Sequence, residues 1–98
     1  MSINESFVTP VQRRAQAFRF AEVIQAARHG LQLSVDEAAD LVGLPYFMWL
    51  EVESGEWIPE DFHLVKDMAA VLEINHIFLV FLAEMSRFSR TELDKLSA

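Results

Sequence analysis

The chain has 98 residues, 52% of them hydrophobic, with eight Lys and Arg against fifteen Asp and Glu and a formal net charge of −7. That length makes one compact domain, or a domain plus a terminal arm. With no cysteine, disulfide and thiol chemistry are excluded. The longest apolar run, Ile77–Ala83, is far too short to span a bilayer. No basic-then-apolar leader pattern opens the N-terminus, so a cytoplasmic protein without a membrane partner is expected. Charge is uneven along the chain. Ten carboxylates lie between Leu31 and Glu73 with only Lys66 against them, a formal −9, whereas residues 1–30 carry four arginines against two glutamates.

Taken in order, every segment reads as helix, and the expected fold class is all-α with about five helices. Residues 1–9 read as an N-terminal arm. Thr9, Pro10 and Gln12 form a start signal: a capping hydroxyl, a proline at the first helical position, and a side chain that closes a capping box. A long first helix is predicted from Pro10 to His29, ending at Gly30, with Val11, Ala15, Phe18, Ile24 and Ala27 as its apolar stripe. Ser34 and Glu37 make a second capping box, opening a helix with Val35, Ala38, Ala39, Leu41 and Val42 inward and Gly43 at its end. A third helix is predicted over 45–53, stopped by Ser54 and Gly55. A fourth is predicted over 60–72, with Phe62, Val65, Met68, Ala69 and Leu72 inward. A fifth follows over 76–85. Thr91 to Asp94 repeats the capping spacing, so residues 91–98 read as a tail or short sixth helix after a domain over 10–90.

Two short helices meeting at Gly43, followed by Gly55 and Pro59, carry a known pattern. From Ala27 to about Leu79 the chain resembles the lambda-repressor/Cro-like (XRE) helix-turn-helix family. The matching residues are Arg28, Leu33-Ser34, Glu37, Ala39, Val42-Gly43-Leu44, Trp49, Val52-Glu53, Gly55, Pro59, Met68-Ala69 and Leu72. Ala39 is small enough for two helices to cross closely, and Gly43 can take the positive φ of a tight turn. The resemblance implies a partly buried structural ion pair between Arg28 and Glu53, and a role in regulating transcription.

At the positions where this family reads DNA, the chain holds Val35, Tyr46, Phe47, Leu50 and Glu51. Base edges and phosphates are read by hydrogen-bonding and cationic groups, and carboxylates repel a duplex. Pro45 replaces the usual capping Ser or Thr, and the following loop carries Glu56 and Trp57. An exposed aromatic and apolar cluster marks a protein contact, so Tyr46, Phe47, Leu50, Glu51 and Trp57 are expected to form a partner-binding face. Its acidic surroundings suit a basic target such as a DNA-binding protein. The bland alternative is that several of these side chains fill a modified core. The competing function is that of a dimeric, sequence-specific DNA-binding repressor or regulator, for which Arg13, Arg14 and Arg19 are the candidate phosphate contacts.

The fifth helix is apolar all round and must be covered on more than one side. A homodimer with Phe78, Phe81, Met85 and Phe88 as its seam meets that need; cover by the long first helix is the alternative. His29, His63 and His76 share no ligand spacing, so no metal is expected. No phosphate loop or set of acid, base and nucleophile is visible, so neither an enzyme nor a cofactor is expected.

Overall fold

A computed structural model describes residues 9–97; of the arm expected over residues 1–9 only Thr9 lies among them. Among the described residues the chain is helical throughout, in six helices: α1 (Pro10–Ala17), α2 (Arg19–Gly30), α3 (Val35–Val42), α4 (Tyr46–Ser54), α5 (Phe62–Leu72) and α6 (His76–Ser97). No helix among them is long and apolar enough to cross a membrane.

The five-helix expectation is corrected at both ends. The long first helix breaks at Phe18 (φ −101°, ψ 3°) into α1 and α2. The inward face is not the expected stripe: Val11 and Ala15 are exposed while Ala17, Phe20, Ala21 and Ile24 are buried. Those four recur at helical spacing, as one face of an amphipathic helix does. At the other end α6 passes without interruption through the start signal at Thr91, and residues 91–97 are simply its last turns. A capping sequence permits a helix start without forcing one.

Local chemistry accounts for the remaining boundaries. Thr9 and Ser34 each form a complete capping box, with Gln12 and Glu37 respectively. Asp61 caps α5 by accepting from the amides of His63 and Leu64, and Asn75 Oδ1 accepts from the Phe78 amide at the start of α6. Gly43 (φ 88°) and Gly55 (φ 83°) end α3 and α4 in the left-handed region, where a Cβ is costly. Gly30, expected to end its helix this way, does not; Gln32 takes the positive φ two residues later.

The core sits where α2, α3, α4, α5 and the first half of α6 meet. It contains Phe20, Ile24, Ala38, Ala39, Trp49, Val52, Val65, Met68, Leu72, Leu79 and Leu82. Two further residues expected inward lie outside it: Leu41 and Phe62 are both exposed. Leu41 falls about 100° around α3 from the face carrying Ala38, Ala39 and Val42. Phe62, in the first turn of α5, meets His63 edge-to-face and lies under the Lys66 ammonium. The first helix packs along α6 and against α2. Arg87 and Arg90 of α6 donate to the carbonyls of Pro59 and Gly55, tying the loop after α4 to the last helix.

Candidate functional site

The α4 helix is held from within by one polar knot. Arg28 donates from Nε and Nη2 to the two oxygens of Glu53, at 2.5 and 2.9 Å, and from Nη1 to the Leu33 carbonyl at 2.9 Å. Glu53 also accepts from the indole N–H of Trp49 at 2.6 Å. Both partners of the ion pair are largely buried. The Glu53 carboxylate raises the Arg28 pKa above its ordinary value through hydrogen bonding, against an opposing effect of burial. The bidentate geometry fixes α4 relative to the end of α2. The Trp49 indole, fully buried, serves as both core filling and third donor, a role that apolar patterning alone did not announce.

With Trp49 and Val52 turned into the core, the opposite side of this nine-residue helix must face out. Tyr46, Phe47 and Leu50 occupy it, 49%, 61% and 42% exposed. They are neighbours at i, i+1 and i+4, close together on one helical surface. Glu51 flanks them, half-buried, and Val35 is also half-buried. Leu41, on the helix just before, adds a further exposed apolar group to this helix pair. Exposed Asp36, Asp40 and Glu56 lie on the same part of the chain. Trp57 is placed differently. It is half-buried, packs on the core, and lines a cleft with Glu56, Glu60, Arg87 and Arg90 beyond the C-terminal end of α4. It is not part of the patch made by Tyr46, Phe47 and Leu50.

Arg13 and Arg14 stand on α1, and Arg19 opens α2. Arg13 lies over the Phe88 ring at 5.7 Å, and Arg14 over the Phe18 ring at 5.5 Å. Arg19 lines a groove with Phe78, Phe81 and Met85. Arg90 stacks on Phe18 as well, at 5.5 Å. Cation–π contact of this kind takes part of each guanidinium out of free solution.

The helix α6 shows two faces. Leu79, Leu82 and Ala83 are buried, as are Ser86 and Ser89, whereas Ile77, Phe78, Phe81, Met85 and Phe88 are exposed. Cover from α1 thus reaches one flank of α6 and leaves the aromatic stripe open. The contact on that flank is polar and was not signalled by any motif. Ser86 Oγ donates to the Gln16 carbonyl at 3.0 Å and accepts from the Phe20 amide at 3.3 Å, while Ser89 Oγ donates to Gln16 Oε1 at 3.1 Å.

Comparison of the chain with protein-family models, with curated proteins and with solved structures finds no match.

Proposed function

We propose that the chain is a transcription-regulatory helix-turn-helix protein that works in the cytoplasm by gripping another protein through the outer face of α4, not by reading bases. The observation that carries this reading is the joint exposure of Tyr46, Phe47 and Leu50 on the helix that, in the family the sequence resembles, would enter the major groove. These groups offer a duplex one hydroxyl and no cation. They offer a protein two aromatic anchors and an aliphatic one, the residue types around which binding energy concentrates. Ten carboxylates between Leu31 and Glu73 make the surroundings acidic. The fitting partner presents an apolar pocket rimmed by Lys and Arg, as the nucleic-acid-binding surface of another regulator does. Occluding that surface would regulate transcription without contact to DNA.

Direct sequence-specific binding as a dimeric repressor needs cations beside α4. Arg13 and Arg14 stand instead on α1, which packs along α6, Arg19 lines a groove with Phe78 of α6, and Arg28 is committed to Glu53. Two measurements decide. Mixed-sequence duplex DNA titrated at low salt is expected to show no binding; affinity that falls steeply with rising salt would mark phosphate contact and end the proposal. The variant Tyr46→Ala with Phe47→Ala is expected to keep its fold and lose capture of the host partner. Capture that survives this change rules out the α4 face.

A further inference from the structure

Where α1 and the start of α2 lie against α6, the surface holds a hollow of about 280 Å³. Phe78, Phe81, Leu82 and Met85 of α6 give it apolar walls, and Gln16 and Arg19 line it as well. Among the described residues Arg19 is the one charged group in that lining, and no carboxylate shares it. The ion pairs among those residues are Arg28 with Glu53 and Lys95 with Glu92, so the exposed Arg19 guanidinium has no carboxylate partner. Gln16 Oε1 accepts from Ser89 Oγ at 3.1 Å. That leaves the side-chain N–H groups of Gln16 available as further donors. A second hollow, of about 410 Å³, shares Gln16, Phe81 and Met85 with the first and continues along α6 to Phe88. Arg13 and Glu84 both line it, so its formal charges cancel.

One cation and one amide donor at one end, with apolar side chains leading away from them, define a ligand. A guanidinium takes the two oxygens of a carboxylate in parallel, and its single charge matches a single negative charge. A phosphate would bring more charge and more acceptors than these donors satisfy. The rest of the ligand must be apolar. A peptide would bury amide groups against Phe78, Phe81 and Met85, which offer them no hydrogen bond, and that is costly. Small-molecule sites run from roughly 300 to 1,000 Å³; the first hollow is near the lower limit, and with its continuation it falls inside the range. Phe78 and Phe88 are ten positions apart, about 15 Å along a helix, which gives an extended tail its length. We propose that this groove binds a small amphiphilic carboxylate of the fatty-acid class. Its head meets Arg19 and Gln16, and its unbranched tail lies over Phe81 and Met85 toward Phe88. The tail covers part of the stripe that α1 leaves open to water. The site uses α1, α2 and α6 and not α4, so its test is separate from that of partner capture.

Decanoate, titrated calorimetrically into the full chain below its micelle-forming concentration, is expected to saturate at one molecule per chain. Decanol keeps the tail without the charge, and butyrate keeps the charge without the tail; each is expected to bind at least about tenfold more weakly. Arg19→Gln is expected to weaken decanoate about tenfold, and Arg19→Lys by less. Arg14→Gln removes the same charge at a residue that lines neither hollow, and should leave the affinity unchanged. Met85→Glu puts a carboxylate in a wall that both hollows share, and is expected to abolish binding with the helical circular dichroism unchanged. Absence of saturable binding overturns the proposal. So does decanol that binds as tightly as decanoate, which would mark a merely apolar surface. Equal losses in Arg19→Gln and Arg14→Gln overturn it as well, by reducing the head contact to general charge. A chain that sediments at twice its 11.2 kDa mass and takes up no decanoate gives the stripe to a second copy instead.

Discussion

The hydroxyl of Ser86 and the amide of Phe20, 66 positions apart in sequence, are joined by a hydrogen bond of 3.3 Å. In an unbroken helix that amide would donate to the Gln16 carbonyl. Ser86 Oγ donates to that same carbonyl, at 3.0 Å. The serine thus stands between two groups that a continuous helix pairs, which is one of the few physical ways to bend a helix sharply. On one side of the break α1 packs along α6, and Arg13, Gln16 and Arg19 lie beside the aromatic stripe. Ser86→Ala leaves a buried amide without its acceptor, and the expected loss is about 1–3 kcal/mol by chemical denaturation. Hydrogen exchange at Phe20 should accelerate more than at Ile24, which lies within α2. Equal protection in both proteins would mean that the amide finds another partner.

Gly55 and Gly43 share a left-handed backbone but not their surroundings. A Cβ at Gly43 meets nothing, whereas a Cβ at Gly55 collides with the Phe18 ring. Arg14 and Arg90 each lie over that ring, at 5.5 Å. Gly43→Ala should cost only the left-handed penalty, about 1–2 kcal/mol. Gly55→Ala adds a steric clash to the same penalty, typically about 1–3 kcal/mol more. Gly55→Ala with Phe18→Ala should recover part of the second cost, and thermal denaturation of the four proteins measures it. No recovery would detach the Gly55 penalty from the Phe18 ring.

The ion pair of Arg28 and Glu53 should be expensive to break from either side. Arg28→Met leaves the carboxylate with only the Trp49 donor, and Glu53→Gln leaves a buried guanidinium facing a neutral amide. Each is expected to cost about 3–5 kcal/mol, because a charge is left buried without its partner. Arg28→Met with Glu53→Gln should cost less than the two single changes added together, since no stranded charge remains. Urea denaturation of the cycle reads the coupling directly; additive costs would mean that the two side chains act independently.

The sequence disclosed local features better than tertiary ones. Ser34 with Glu37 marked the start of α3, and Gly43 and Gly55 marked helix ends, because caps and left-handed residues act through near neighbours. The resemblance pointed to Arg28 and Glu53, which lie 25 positions apart and share no local signal. The break at Phe18 was illegible because its cause is a serine on the last helix. Leu41 and Phe62 were placed inward on hydrophobicity; helix phase puts Leu41 outside, and Phe62 finds His63 and Lys66 instead of the core. The α4 patch was legible in kind, from the residues at its outer positions. Trp57 was grouped with it by sequence proximity, which a loop turning back toward α6 does not preserve.

The capping box at the start of α3 gives the chain a local acid sensitivity. The Ser34 amide donates to Glu37 Oε1 at 2.8 Å, and the Glu37 amide donates to Ser34 Oγ at 3.0 Å. Hydrogen bonding from the Ser34 backbone, then from its side chain, holds the Glu37 carboxyl below the usual glutamate range. A carboxyl with a depressed folded-state pKa binds its proton more readily in the unfolded chain. Its stabilising contribution is therefore complete above the ordinary glutamate pKa and is lost as pH falls through the lower folded-state value. Glu37→Gln keeps an acceptor for the Ser34 amide but removes the charge and its favourable place at a helix N-terminus. Thermal midpoints of the two proteins should differ at neutral pH and converge on acidification, once Glu37 is protonated in both the folded and the unfolded chain. An NMR titration of the Glu37 side chain should place its midpoint below that of an unstructured glutamate. A gap between the two thermal midpoints that stays constant across the acid range would show that the carboxylate charge contributes nothing to holding the end of α3.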